Sequence, residues 1–374
     1  MSDGQPAALR SYLDGLAALG GAVSAVEALV VDVGEGANEG ESPDTAPARR
    51  TVFRHAAGFR VGGEKLRTGA RFDIASLTKP WMATLALVLD AKGELALGHK
   101  VGEVFGEKAA RFAELPLEDL LRHRSGIRAW TPIPLRLGTR RSDRDALTDL
   151  LFTESLWERR NDTVSASATV YSDLGYILWG LAAEKVTGFS LPDLLDRCVC
   201  EPLGLAPLGA LAAEPLVAEV VECRLDNGKE VDLAAEQGLK LARQKSFFRG
   251  RPQDGNARSL PFLAAHAGLF ATADELLALA REWLQPGKLL VKEGVRSAVA
   301  GTGEYALGWA RQDDVGSSGP AFSSASFGHV GFTGGSLWIN PERGRICVLL
   351  AHRLSSRHDF NPVRREFHRL AMQL

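Results

Sequence analysis

The spacing of apolar positions changes along the chain, and the changes divide it. After Pro6, residues Leu9, Leu13, Leu16 and Leu19 recur at helical spacing, so the chain opens with an amphipathic helix. Ala25 to Val33 is apolar and rich in β-branched residues, which predicts a strand, and Thr51 to Phe59 reads as its returning partner. Gly34 to Arg49 between them, rich in Gly, Glu and Pro, reads as a loop. Leu77 to Leu89 is different: Trp81, Met82, Ala83, Leu85, Ala86, Leu87, Val88 and Leu89 leave almost no polar face. A helix apolar all round is buried on every side. Pro80 suits its first turn and Gly93 follows its end.

A mainly helical middle follows. Ser172 or Asp173 can cap a helix running to Thr187, with Gly188 at its exit. Ser190 with Asp193 starts another, and Thr272 with Glu275 repeats that signature before Leu276 to Leu284. The last hundred residues read as strands over Tyr305–Ala310, Ser336–Asn340 and Arg345–His352. Pro341-Glu342-Arg343-Gly344 turns the last two into an antiparallel hairpin, and Asn361-Pro362 opens a C-terminal helix. Strands at both ends around a helical middle predict an α/β (α+β) fold. An antiparallel sheet flanked by helices comes from residues 1–95 and 262–374, with an all-helical domain, 96–261, inserted.

With 374 residues, 45% of them hydrophobic, the chain can bury a sizeable core. The net charge of -2 and the lack of an aromatic-interleaved basic run argue against a nucleic-acid partner. The pairs Arg140-Arg141, Arg159-Arg160 and Arg364-Arg365 are short and read as solvated helix faces. No stretch approaches the roughly 18 apolar residues of a membrane span, and Asp3, Arg10 and Asp14 interrupt the opening residues. The expectation is a cytoplasmic protein with no membrane partner. Cys198 and Cys200 are too close for an ordinary bridge, and with Cys223 and Cys347 are expected as reduced thiols.

Three patches carry candidate chemistry. Ser76-Leu77-Thr78-Lys79 stands at the start of the buried helix; residues three apart share a helical face, so the Lys79 amine reaches the Ser76 hydroxyl. Serine needs a neighbouring base, and a helix N-terminus favours a developing alkoxide. Tyr171-Ser172-Asp173 projects from the turn before a helix, where a phenol can share a proton with Lys79 and serine. Gly328-His329-Val330-Gly331-Phe332-Thr333-Gly334-Gly335 leads into a strand whose backbone N–H groups can hold an oxyanion. The eight histidines show no HxH or HExxH spacing, so no metal is expected. The G-x-S-x-G elbow, the P-loop and a strand-linked dinucleotide fingerprint are missing, so no cofactor is expected either.

Taken in order, these patches resemble the β-lactamase and penicillin-binding serine hydrolases, especially the class C-like branch with its esterases. The similarity extends to Leu120-Leu121-Arg122-His123-Arg124-Ser125-Gly126, Glu201-Pro202-Leu203-Gly204-Leu205 and His266-Ala267-Gly268-Leu269-Phe270, spanning about residues 25 to 370. The resemblance implies a β-lactamase/DD-peptidase-like fold. It implies Ser76 as acylated nucleophile, Lys79 and Tyr171 as proton-transfer pair, and Asp173 and His329 on the cleft walls. The N–H groups of Ser76 and Phe332, beside Gly331, would form the oxyanion hole; the His123–Gly126 loop reads as structural. The implied function is hydrolysis of a small ester, amide or β-lactam through an acyl-enzyme. A β-lactamase or D-alanyl-D-alanine carboxypeptidase is the alternative, and a non-catalytic scaffold the rival from another class.

Two positions depart from the family pattern. Asp173 stands where Asn is common, which favours a charged Lys79 and shifts the load to Tyr171. His329 replaces a lysine that faces the substrate carboxylate in many relatives; neutral imidazole lacks that cation, and Arg353 is the candidate replacement. Weak β-lactam turnover and better activity on uncharged esters or amides are expected. The loops Trp130–Thr139 and Arg243–Asn256 are expected to set specificity.

Overall fold

The computed structural model describes residues 4–34, 49–60, 63–157, 169–208 and 220–374. Most of the loop expected at Gly34–Arg49, and the Arg159-Arg160 pair, lie outside these residues. Six strands form one antiparallel sheet: β1 (Val23–Val33), β2 (Arg49–Gly58), β5 (Ala310–Arg311), β6 (Phe327–Val330), β7 (Gly334–Asn340) and β8 (Arg345–Arg353). Their order is β2-β1-β8-β7-β6-β5. The chain's two ends meet where β1 pairs with β8, Leu29 opposite Val348. A second, two-stranded sheet joins β3 (Phe72–Asp73) to β4 (Phe270–Ala271).

The central strands β1, β8 and β7 are buried on both faces, which explains their near-continuous apolar runs. Ala25, Leu29, Val31, Leu337, Ile339, Val348 and Leu350 face the main core. Val26, Ala28, Val30, Trp338, Cys347, Leu349 and Ala351 face a second core. On the main side lie helices α2 (Thr78–Ala91) and α4 (Ala273–Leu284), together with α3 (Asp173–Thr187) from the helical middle. On the other lie α1 (Gly4–Ala17) and α5 (Asn361–Gln373), through Leu9, Leu13, Phe367 and Ala371. Helix α2 is buried all round, from Thr78 to Leu89. The caps act as read: Ser172 accepts from Gly175 N–H at 3.1 Å, and Thr272 with Glu275 closes a capping box.

Several expectations are corrected. Helix α1 ends at Ala17, because Gly20 and Gly21 turn the chain, and Leu19 is fully exposed. Tyr305–Ala310 is a tight turn rather than a strand: Gly308 adopts φ +77°, and only Ala310 and Arg311 join the sheet. A side chain at Gly308 would stand 2.2 Å from Ala83 Cβ of α2, so the sheet edge rests directly on the buried helix. The first half of the glycine-rich segment is itself strand β6. Arg364 is no solvated residue; it is buried at 5% exposure. All four cysteines are buried and unbridged. Among the described residues no helix is long and apolar enough to cross a membrane.

Candidate active site

Ser76 does not sit on α2 itself. It occupies a single 3₁₀ turn, Ala75–Leu77, immediately ahead of that helix. Ala75 is held at φ +45°, a conformation costing about 1–3 kcal/mol in a non-glycine residue. Asp73 fixes that bend from two sides: its Oδ1 accepts the Ala75 N–H at 2.9 Å, and its carbonyl accepts Thr333 Oγ1 at 2.8 Å. The turn presents Ser76 into a cavity of about 480 Å³ that Tyr171, Asp173, His329 and Phe332 also line. The three sequence-distant patches therefore meet in one cleft.

Lys79 is wholly buried, and its Nζ donates to three oxygens: Ser76 Oγ at 3.0 Å, Asp173 Oδ1 at 2.7 Å and the His266 carbonyl at 3.0 Å. Three acceptors around one nitrogen suit an ammonium, which has three protons to give. Tyr171 lines the same cavity as Ser76, and Lys79 Nζ lies 4.8 Å from the Tyr171 ring centre. Burial and the Asp173 carboxylate hold the phenol well above its ordinary pKa, against the lowering by Ser76. The resting cleft thus holds tyrosine with its proton.

His123, in the loop read as structural, supports Tyr171. Its Nδ1 accepts the Ser172 N–H at 2.9 Å, and its ring packs 4.4 Å from the Tyr171 ring. Burial and the Lys79 charge keep it neutral. His329 is likewise neutral: burial, then Lys79, push it down to about 3. Its Nδ1 meets the Val330 carbonyl at 2.9 Å, so Nδ1 bears the proton and Nε2 is a bare acceptor. Nε2 is buried with no partner among the described residues. Arg353 spends Nε on the Phe332 carbonyl at 2.7 Å and Nη1 on the His358 carbonyl at 3.0 Å.

Gly331 has a geometric reason. A Cβ there would lie 2.6 Å from the Ile74 carbonyl, so only glycine lets the β6–β7 turn approach the Ser76 turn. No acceptor among the described residues takes the Phe332 N–H.

Sequence reasoning missed a supporting pair. His266 Nε2 meets Asp254 Oδ1 at 3.0 Å, and the His266 carbonyl holds Lys79. Burial pushes the Asp254 carboxyl up, but His266 carries it down to about 2. Asp173, Asp254 and His266 bring ligand atoms within 4.8 Å of one another. That set could hold a cation, and the Lys79 ammonium already contacts it at Asp173. Nothing in the spacing of 173, 254 and 266 signals this meeting. The two expected specificity loops line an adjoining cavity of about 720 Å³, joined to the cleft through shared Trp130 and Glu230.

Esterase EstB from Burkholderia gladioli is 29% identical over 336 residues, covering 80% of this chain and 82% of the esterase. An N-acetylmuramyl-L-alanine amidase from Bacillus subtilis (strain 168) is 26% identical over 322 residues, covering 77% of this chain and 69% of the amidase. The crystal structure of a penicillin-binding protein homologue from Caulobacter crescentus superposes with a TM-score of 0.70 at 20% identity. It covers 99% of this chain and 97% of that one, a likeness of fold. The family profile described as Beta-lactamase matches residues 46–370, which include Ser76, Lys79, Tyr171 and the glycine-rich turn, and the chain belongs to that family of serine hydrolases.

Proposed function

We propose that this hydrolase cleaves a small ester or amide lacking a fixed carboxylate beside the scissile bond, through an acyl-enzyme on Ser76. The observation that carries this reading is the setting of Ser76, whose hydroxyl accepts from Lys79 Nζ at 3.0 Å in a cavity that Tyr171 also lines. In acylation Ser76 Oγ bonds to the substrate carbonyl carbon while its proton passes to Tyr171 Oη. The phenol's own proton goes to the leaving oxygen or nitrogen as that bond breaks, so Tyr171 ends as it began. The Lys79 ammonium steadies negative character on the phenol and serine oxygens. Phe332 N–H and Ser76 N–H, the latter in a first helical turn without an intrahelical acceptor, receive the oxyanion. Water then reverses the relay and frees Ser76.

The second reading, a β-lactamase or D-alanyl-D-alanine carboxypeptidase, needs a cation for the substrate carboxylate. His329 is uncharged, and two of the three guanidinium nitrogens of Arg353 are given to backbone carbonyls. A panel of p-nitrophenyl esters, nitrocefin and D-amino-acid peptides tests both readings. Ester turnover with slow nitrocefin hydrolysis is expected; fast nitrocefin hydrolysis would favour the second. Fluorophosphonate labelling of wild type, lost in Ser76→Ala, is expected for the nucleophile, and an unlabelled wild type would point to a scaffold.

A further inference from the structure

A side chain of the C-terminal helix bonds the peptide that carries the proposed oxyanion donor Phe332 N–H. Arg364 donates from Nη2 to the Gly331 carbonyl oxygen at 2.7 Å, and its Nη1 is anchored on Asn361 Oδ1 at 2.9 Å. Its Nε is buried without a partner among the described residues. The Gly331 carbonyl and the Phe332 N–H belong to one peptide group. That carbonyl also accepts the Gly334 N–H at 2.9 Å, so one peptide oxygen takes a cationic and a neutral donor together. Two donors on the oxygen draw electron density from the nitrogen of the same amide and strengthen its N–H as a donor.

Arg364 is held where a charge is costly. It is 5% exposed, and burial with the neighbouring Arg353 pushes it down to about 9, still a cation at neutral pH. A carboxylate anchor for substrate would offer free guanidinium nitrogens to the cleft. Here both terminal nitrogens are engaged by the protein, one of them on the turn bearing the oxyanion donor.

We propose that Arg364 is a positioning residue that polarises the Gly331–Phe332 peptide, strengthening the Phe332 N–H toward the developing oxyanion. The inference rests on the reading of Phe332 as oxyanion donor. Because an oxyanion carries more charge than the ground-state carbonyl, the gain falls on kcat rather than KM.

Arg364→Gln and Arg364→Lys, assayed on p-nitrophenyl butyrate, test this. Loss of the charge should lower kcat about tenfold, less than deleting a donor outright, with KM within about twofold. Lysine, which keeps the cation, should recover most of the rate. The infrared carbonyl stretch of an acyl-enzyme made with a slowly hydrolysed ¹³C-labelled ester gives a second readout. It should lie below that of the free ester in wild type and move up toward it in Arg364→Gln. A folded Arg364→Gln with unchanged kcat and stretch overturns the inference, as does a rise in KM alone, which would make Arg364 a substrate anchor. A wild-type stretch at the free-ester position would instead overturn the oxyanion reading itself. Should Arg364→Gln not fold, Asn361→Ala loosens the aim of Arg364 and should shift the stretch in the same direction; no shift overturns the proposal.

Discussion

Lys79 and Asp173 form an ion pair, 2.7 Å from Nζ to Oδ1, in which the lysine is wholly buried. The pair ties the start of α2 to the start of α3, and with them two of the three motif patches. Burial and then the Asp173 carboxylate raise the Tyr171 phenol, so the pair also sets the proton affinity of the proposed relay. Asp173→Asn removes the second contribution. The limb of the pH–rate profile that reports Tyr171 should move to lower pH by about one unit. Stability should fall toward the lower end of the roughly 3–5 kcal/mol lost when a buried pair is broken, because Asn still accepts a hydrogen bond. An unchanged profile would remove Asp173 from the proton-transfer account.

Gly331→Ala tests the approach of the two turns. Its Cβ would clash with the Ile74 carbonyl at 2.6 Å, forcing the β6–β7 turn away from the Ser76 turn. Loss of a well-placed oxyanion donor costs about 10²–10³ in kcat. A fall of that order, with circular dichroism and KM near wild type, is the expected result. Full activity would show that the turn has room to spare.

The sheet, the buried helix and the three motif patches were legible because each is written locally. Apolar runs, caps at Ser172 and Thr272, and the Ser76–Lys79 spacing need only neighbours in sequence to be read. The Tyr305–Ala310 error came from the same source: alternation survived, but Gly308 bends the chain against Ala83. The roles of His123, Asp254, His266 and Arg364 were not legible. Each acts through a partner far along the chain, as when Arg364 grips the Gly331 carbonyl. A helix-face arginine and a loop histidine carry no local mark of that.

His329 should not titrate over the enzyme's working range. Burial and Lys79 hold it neutral, down to about 3, and a histidine lowered so far carries no charge between pH 5 and 9. His329→Gln should therefore leave the shape of the pH–rate profile unchanged. His329→Lys places a cation where the family resemblance implies a lysine facing the substrate carboxylate. It should raise turnover of carboxylate-bearing substrates about tenfold relative to a neutral ester, the equivalent of about 1.4 kcal/mol. A competition assay between p-nitrophenyl butyrate and nitrocefin reads the ratio, and an unmoved ratio would sever His329 from specificity.

Glu230, shared by the cleft and the adjoining cavity, should make the folded protein lose stability as pH rises through neutrality. Burial and then the Asp254 carboxylate push it up to about 7, against the Gly255 N–H that donates to it at 2.8 Å. An unfolded glutamate titrates near about 4.3, so the folded state binds more protons between the two values. The contribution is whole below about 4.3 and is lost as pH climbs through about 7. Asp73, raised by burial to about 6, acts with the same sign but is spent by then. Asp254, carried down to about 2, loses its contribution only in acid and adds no slope here. The buried neutral histidines His123, His329, His352 and His368 pull the other way up to about 6.5. The Glu230 contribution is therefore read by difference: the urea midpoint of wild type relative to that of Glu230→Gln should fall between pH 6 and 7. An equal slope in the variant would mean that the carboxyl ionises normally, and that the cleft meets its neighbouring cavity across a charge rather than a neutral acid.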